Sequence, residues 1–192
     1  QASADESDLA KADVHILCVP TPLGEHREPD LSYVISSARM VGRNRRAGSL
    51  AVLESTTFPG TTRREFAQAL EAGWVESGRD AVLAGLFIAY SPEREDPGRK
   101  SHTTKAIPKL VGGIDCESGA LALVLYEAAF EEVVEVSSAE VAESAKLLEN
   151  IFRAVNIALV NEMKVVLDEL DVDIFEVVRA AATKPFGYMP FW

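Results

Sequence analysis

The sequence predicts an α/β fold with a mainly parallel sheet, followed by an all-helical element. Over the first two thirds of the chain, short apolar runs alternate with stretches of helical length, as they do in crossover units that join parallel strands. The pattern changes after Ser137 and Ser138, where helical periodicity becomes continuous. A hydrophobic content of 47% in 192 residues is sufficient for a packed core.

Strands are predicted where apolar runs are closed by Pro, Gly, Ser or Thr turn residues. In chain order they cover residues 14–19, 49–54, 85–90, 110–111 and 132–136. The helices between them are predicted at residues 30–46, from 61 or 62 to 71, and at 117–130. Asp30 is the expected N-cap of the first helix, and Thr61 or Thr62 that of the second. These elements define a predicted domain over residues 1–136.

A second, helical domain is predicted over residues 137–192. Ser138 can cap a long helix whose period continues from Glu140 to about Leu170, and Asp173 opens another helix before a Lys-Pro pair. The change from alternating strands and helices to continuous helix sets this segment apart from the sheet domain.

Composition narrows the possible functions. Nineteen basic and thirty acidic residues give a net charge of −11, which argues against a nucleic-acid partner. No apolar run approaches the roughly 18 residues that span a bilayer, and the N-terminus is acidic rather than signal-like, so we expect no membrane partner and a cytoplasmic location. Cys18 and Cys116 lack metal-ligand spacing, so neither a metal site nor a disulfide framework is predicted.

A polar stripe runs along the long helix. At roughly 100° per residue, Glu143, Lys146, Asn150 and Arg153 fall within about 80° of one another, while the remaining faces from 147 to 160 are strongly apolar. One interpretation is a solvated face of an amphipathic helix. The other is a cleft lining on a helix that protein surrounds on most sides.

Distinctive loops follow the first three predicted strands, at residues 19–22, 54–62 and 91–98. Each is rich in Pro, Gly and hydroxyl residues, and the third adds a charged pair. Ordinary turn chemistry accounts for each loop alone. Because ligands of open parallel sheets bind outside the carboxyl ends of the strands, three such loops in order favour a binding crevice at that edge.

These residues resemble the UDP-glucose/GDP-mannose dehydrogenases, NAD-dependent enzymes that oxidise the C6 alcohol of a nucleotide sugar to a carboxylate. The matching segments are Val19-Pro20-Thr21-Pro22, Ser55-Thr56 with Pro59-Gly60-Thr61, Ser91-Pro92-Glu93-Arg94 with Pro97-Gly98, Val111-Gly112-Gly113, Lys146-x-x-x-Asn150, Arg153-Ala154-x-Asn156-Ile157-Ala158-x-x-Asn161-Glu162 and Lys184-Pro185-Phe186-Gly187. The resemblance implies the second half of a Rossmann-like parallel sheet domain, followed by a long-helix dimerisation element.

The resemblance also implies roles for the loops. Val19, Pro20, Thr21 and Thr56 are expected to contact NAD at the strand ends. For Thr21 and Thr56, the alternatives are a simple turn former and a strand-end cap.

In the loop after the third strand, Arg94 and Glu95 are expected to bind the substrate, and Glu93 to lie near the reaction centre. An exposed ion pair of Arg94 with a neighbouring carboxylate is the plain alternative. An Arg after Ser-Pro-Glu, followed by x-x-Pro-Gly, resembles the branch that acts on UDP-N-acetylhexosamines.

On the long helix, the resemblance makes Lys146 the residue for acid/base or electrostatic work, since an ammonium offsets charge that develops on the C6 oxygen. Asn150 presents an amide on the same face as a second catalytic group, and Arg153 completes the substrate contacts. The implied partners are a UDP-sugar and a second copy of the chain, paired through this helix.

Family members use two NAD molecules per sugar, capture the aldehyde on a cysteine, and supply precursors of surface polysaccharides. Two expected pieces do not occur in this sequence, the Gly-x-Gly-x-x-Gly phosphate turn and a Gly-Gly-His-Cys nucleophile loop. Cys18, expected within a buried strand, and Cys116, at a helix start, cannot replace that nucleophile. The chain therefore reads as an internal fragment, and we expect it to be inactive alone.

Two other interpretations stay open. A β-hydroxyacid dehydrogenase also joins a dinucleotide fold to a helical domain with Lys-x-x-x-Asn and needs no catalytic cysteine, although Ser91-Pro92-Glu93-Arg94 and Ser55-Thr56 argue against it. A non-catalytic dimerisation module derived from an enzyme is the third.

Overall fold

The computed structural model describes residues 2–79, 85–94 and 106–192. Contacts divide the chain into two compact units, Gln1–Lys146 and Leu147–Trp192. The first unit is built around a sheet, and the second is helical.

The described residues of the first unit form one five-stranded sheet, in the order β1-β2-β3-β4-β5. The strands are β1 Val14–Leu17, β2 Ser49–Leu53, β3 Leu86–Tyr90, β4 Lys109–Gly113 and β5 Val133–Val136. All neighbours pair in parallel except β3 and β4, which are antiparallel. The predicted mainly parallel sheet is therefore confirmed, with one reversal. A crossover helix is needed only between parallel strands, and the sequence between β3 and β4 carries turn residues instead.

Helices cover both faces of the sheet. They are α1 Ser32–Asn44, α2 Ala67–Glu76 and α3 Cys116–Glu127, with a 3₁₀ turn at Glu6–Lys11 and a π turn at Thr62–Phe66. Leu53 packs with Val34 of α1 and Leu70 of α2, whereas its neighbour Val52 packs with Ala122 of α3 on the opposite face. β2, β3 and β4 are mostly apolar because both of their faces are largely buried, whereas the outer strands β1 and β5 are more exposed.

Some local predictions need correction. The first helix begins at Ser32 rather than Asp30, although the Asp30 carboxylate accepts a 2.8 Å hydrogen bond from the Ser32 N–H.

β1 ends at Leu17, so the placement of Cys18 within a buried strand is wrong, and its thiol is exposed. The predicted strand was two residues too long because Cys18 and Val19 continue the apolar run, although they no longer pair with β2.

Helix α4, Ala139–Asp168, begins in the first unit and continues into the second, where α5 covers Ile174–Ala181. Asp173, predicted to open this helix, is its N-cap, since its carboxylate accepts a 2.9 Å hydrogen bond from the Phe175 N–H. None of the helices in the described ranges is both long and apolar enough to cross a bilayer.

Among the described residues, the apolar side chains of α4 beyond Lys146 are largely exposed, which differs from the interpretation of a helix that protein surrounds on most sides. Leu148 is 67% exposed and Val155 is 60% exposed, and Ile151, Phe152 and Leu159 are exposed with them. The periodicity identifies an apolar surface correctly, but it carries no information on what covers that surface.

Candidate active site

The candidate site lies at the sheet edge where β1, β2 and β3 end. These strands are parallel, so their carboxyl ends meet at one edge, and the antiparallel β4 brings its first residue, Lys109, to the same edge. The three loops singled out in the sequence follow these strand ends. The topology therefore places the described parts of these loops, which carry Thr21, Thr56 and Arg94, in one region.

The loops after β1 and β2 are joined by their hydroxyl groups. Ser55 Oγ donates to the Val19 carbonyl at 2.7 Å and accepts from the Val19 N–H at 3.0 Å. Thr21 Oγ1 donates to the Thr56 carbonyl at 2.8 Å. The structure thus brings the predicted cofactor residues together, with Pro20 between the two bonded positions. It also gives Ser55 a role in fixing the loops that the sequence did not assign.

Thr57 extends this arrangement. Its hydroxyl oxygen is buried and has no hydrogen-bond partner among the described residues. An orphaned buried hydroxyl costs about 1–3 kcal/mol, a cost that a water or a bound polar molecule removes. The cofactor-side loop therefore keeps one polar group unsatisfied at the strand ends.

Beneath the same edge lies a buried charge cluster that the sequence analysis missed. Lys109, only 5% exposed, places its ammonium 3.1 Å from Glu54 Oε1, and the Tyr126 hydroxyl donates to the same oxygen. The Lys109 ammonium also lies 5.1 Å from the centroid of the Tyr126 ring. Burial, and then the nearby Glu54 carboxylate, raise the pKa of the Tyr126 hydroxyl, so it stays a proton donor. A lysine opening an apolar strand was the one available sequence signal.

Cys18 is part of this cluster. Its thiol donates to Glu54 Oε2 at 3.6 Å. Partial burial, followed by the neighbouring Glu54 charge, raises the pKa of the Cys18 thiol above its ordinary value. A thiol held in its protonated form is a poor nucleophile, which gives a physical reason against a covalent role for Cys18.

Glu93 connects this cluster to α4. Its carboxylate oxygen Oε2 lies 3.8 Å from the Lys109 ammonium, and its backbone carbonyl accepts a hydrogen bond from the Lys146 ammonium. The structure thus brings together two of the three predicted catalytic residues, Glu93 and Lys146. Arg94 donates through its guanidinium to the Pro108 carbonyl at 3.0 Å.

Glu95, predicted to bind the substrate, lies outside the described residues. Asn150 and Arg153 lie in the second unit, where the Arg153 guanidinium donates to Asn150 Oδ1 at 2.7 Å. This bond is an i, i+3 contact on α4, which holds the two polar groups side by side.

The fourth member of the polar stripe, Glu143, does not line a cleft. It is fully buried, and its carboxylate accepts hydrogen bonds from the Gly60 N–H at 2.6 Å, the Thr62 N–H at 2.9 Å and the Thr62 hydroxyl at 2.7 Å. The predicted cleft-lining position of Glu143 is therefore wrong, because α4 packs this residue against the start of the π turn. Burial raises the pKa of Glu143, while these three hydrogen bonds oppose the rise.

One turn earlier, Glu140 makes a second connection between the same two elements. Its carboxylate lies 2.5 Å from Arg63 Nε. The hydrogen bond from Arg63 lowers the pKa of Glu140 to about 2. This pair is largely solvent-accessible, in contrast to Glu143.

Comparisons with known proteins match this organisation. The family model described as "UDP-glucose/GDP-mannose dehydrogenase family, NAD binding domain" matches residues 1–130, and the model of the central domain of the same family matches residues 140–191. The first match identifies NAD as the cofactor, in agreement with the sequence.

Two curated relatives and one solved structure illustrate the similarity. Protein CapL of Staphylococcus aureus is 40% identical over 185 residues, covering 95% of this chain and 42% of the relative. The UDP-N-acetyl-D-glucosamine 6-dehydrogenase of Pseudomonas aeruginosa is 37% identical, covering 96% of this chain and 43% of that protein. The structure of a UDP-D-ManNAc dehydrogenase from Pyrococcus horikoshii superimposes with a TM-score of 0.85 at 34% identity, over 96% of this chain and 43% of the other. The chain thus spans less than half the length of these relatives.

Proposed function

Because the chain belongs to the UDP-glucose/GDP-mannose dehydrogenase family, we propose that it supplies part of the active site of an NAD-dependent UDP-N-acetylhexosamine 6-dehydrogenase. The reaction converts the C6 alcohol to the uronate in two oxidation steps, for the synthesis of surface polysaccharide precursors. The acetamido sugar is favoured because Arg94 follows Ser-Pro-Glu, and because relatives that match this chain carry that activity in their names.

The observation that carries the proposal is the contact between Lys146 and Glu93. The Lys146 ammonium donates to the Glu93 carbonyl at the edge of the sheet where the cofactor loops also lie. A cation fixed at the strand ends can stabilise negative charge on the C6 oxygen as it develops. In this role Lys146 acts through its position and charge, and Asn150, one helical turn later, adds an amide donor.

The residues of the first unit fit their share of an NAD site. Val19, Thr21 and Thr56 lie in two loops whose backbone is fixed by hydroxyl hydrogen bonds, and the buried Thr57 hydroxyl still lacks a partner among the described residues. Bound NAD supplies the acceptor for the hydride that leaves C6. We propose that these residues orient the nicotinamide half of the cofactor, since preformed loops reduce the entropy cost of binding.

We propose that the 192-residue chain does not catalyse the reaction alone. It covers only 42–43% of its relatives, and the raised pKa of Cys18 makes this thiol unsuited to capture an aldehyde. Dimerisation through the long helix is part of the proposal, supported by the exposed Leu148, Phe152 and Val155 side chains.

The test uses the chain inserted at the matching positions of the Pseudomonas aeruginosa relative, a chimera that we call the completed enzyme. NADH formation is measured with UDP-N-acetylglucosamine, UDP-N-acetylmannosamine and UDP-glucose, and the chain alone is assayed in parallel. The proposal expects two NADH per sugar with an acetamido substrate, and none from the chain alone. Activity with UDP-glucose only would contradict the substrate assignment, and NADH formation by the chain alone would contradict the division of labour.

A further inference from the structure

Glu143 is a buried carboxyl group whose hydrogen-bond donors all come from a distant loop. It is fully buried, and three donors converge on its two carboxylate oxygens at 2.6–2.9 Å. Isolating a carboxylate from water is costly unless it is hydrogen-bonded, so a residue of this kind depends on its partners. We call these three hydrogen bonds, from Gly60 and Thr62 to Glu143, the Glu143 bridge.

The bridge replaces a cap that the local sequence does not provide. Backbone N–H groups at the start of a helical segment lack partners within the helix. Thr61, which precedes the π turn, makes no side-chain capping bond, and its hydroxyl donates instead to the Phe58 carbonyl at 2.7 Å. The N–H groups of Gly60 and Thr62 receive their acceptor from Glu143, 83 and 81 positions away in the sequence. Folding of this turn therefore depends on α4.

Each end of the bridge leads to a different part of the proposed site. On one side, Gly60 and Thr62 end the loop that begins with Ser55 and Thr56, and Gly60 adopts φ +97°, a conformation that favours glycine. On the other side, Glu143 precedes Lys146 by three positions on the same helix, and Lys146 donates to the Glu93 carbonyl. The bridge is a short connection between the cofactor loop and the helix that carries Lys146.

We propose that Glu143 is a positioning residue, which fixes the loop after β2 relative to Lys146 so that cofactor and sugar meet in the reactive geometry. The effect on catalysis rests on the proposed function, whereas the hydrogen bonds of the Glu143 bridge do not. Glu143 touches neither reacting group in this assignment, and it acts through Thr62 and Lys146. Small displacements of reacting groups lower rates by as much as about 100-fold, which sets the scale of the expected effect.

The first experiment measures amide hydrogen exchange in the 192-residue chain and does not depend on any activity. In Glu143→Gln, the side chain keeps its shape but loses one of two acceptor oxygens, so exchange at Gly60 and Thr62 should accelerate by at least about tenfold. Glu140→Gln is the matched control, because it removes the exposed pair between the same two elements. Unchanged exchange at Gly60 and Thr62 in Glu143→Gln, or equal acceleration in Glu140→Gln, overturns the bridge.

The second experiment measures kcat and the KM for NAD in the completed enzyme, well below the melting temperature of each variant. We expect kcat to fall by roughly 10- to 100-fold in Glu143→Gln and less in Thr62→Val, which removes one donor, with Glu140→Gln within twofold of the parent. If Glu143→Gln does not fold, the kcat of Thr62→Val decides whether the Glu143 bridge contributes to catalysis. Parental kinetics in the folded variants would reduce Glu143 to a stabilising role. An inactive parent would instead contradict the proposed function and leave the exchange result to judge the bridge.

Discussion

The sheet edge of the first unit buries charged side chains, whereas the second unit leaves large apolar side chains in solvent. At the edge, Lys109 and Glu143 are almost fully buried, and each contacts groups of opposite charge or several hydrogen-bond donors. In the second unit, Leu148 and Val155 are more than half exposed. Both arrangements are costly for an isolated chain, but for opposite physical reasons.

The buried charges of the first unit have partners in the same unit, whereas the apolar side chains of the second unit are exposed. Lys109 and Glu143 find their partners within the first unit, in Glu54 just after β2 and in the start of the π turn. In the part of the chain that the structure describes, large apolar side chains of the second unit stay exposed, and such a patch is typical of an interaction site. We therefore expect changes at the buried charges of the first unit to affect folding and catalysis, and changes at the exposed apolar side chains of the second unit to affect association.

The largest effect is expected from Lys109→Met. Removing one member of a buried ion pair leaves the Glu54 carboxylate without its cation, at a cost of about 3–5 kcal/mol. Urea unfolding followed by fluorescence measures the loss. With Trp192 changed to Phe, Trp74 of α2 is the only tryptophan left, and it reports on the first unit.

Lys11→Met is the matched control for that measurement. Lys11 forms an exposed i, i+3 pair with Asp8, and its side chain is 80% exposed. Its replacement should change the free energy of unfolding by less than about 1 kcal/mol. Equal effects of the two substitutions would show that the Lys109 cluster is no more important than a surface ion pair.

An intermediate effect is expected from Val155→Glu in the second unit. If the exposed face of α4 forms the dimer, a charge there should weaken self-association by about 10- to 100-fold. Sedimentation equilibrium of the chain provides the dissociation constant. Val124→Glu is the control, since Val124 is comparably exposed on α3 of the first unit. A chain that stays monomeric at all concentrations would contradict a role of the exposed α4 face in self-association.

The smallest effect is expected at Glu140, and it depends on pH. Its pKa in the folded protein, about 2, lies below its ordinary value of 4.5. The Arg63 pair therefore stabilises the fold above about pH 4.5, and that stability is lost as the pH falls toward 2. The pH dependence of stability has the opposite sign at Glu143. Its pKa is raised in the folded protein, so protonation of this carboxyl as the pH falls stabilises the fold.

The measurement is the stability of Glu140→Gln against pH, relative to the parent. The difference should be below about 1 kcal/mol at neutral pH, because the pair is solvent-accessible. It should shrink toward zero between pH 4.5 and 2. A difference that grows in acid would reverse the assigned sign of the shift.

Local features of the fold could be predicted from the sequence, because they depend on neighbouring residues. Asp173 caps α5, and β2 and β3 fall where apolar runs stand between turn residues. The reversed direction of β4 could not be predicted, since an apolar run has no direction of its own. The predicted domain boundary at residue 136 stays a prediction, while contacts place the division at Lys146.

In the candidate site too, local motifs could be predicted from the sequence and tertiary contacts could not. Motifs after β1, β2 and β3 identified the loops, and the structure brings them to one edge. Lys109 and Glu143 were missed or misplaced because sequence patterns treat charged residues as solvent-facing. Their partners are distant along the chain, Glu54 for Lys109 and Thr62 for Glu143, so only tertiary structure shows why these charges are buried.

The catalytic role of Lys146 is tested most sharply by Lys146→Ala in the completed enzyme, with turnover and NAD binding measured side by side. We expect turnover to fall by a factor of about 100 or more, because the cation that stabilises the C6 oxygen is lost, while the dissociation constant for NAD stays within about twofold. Near-parental turnover in this variant would contradict the assignment of Lys146. An equal loss of NAD binding would show that the residue acts on the cofactor loops instead of on the sugar.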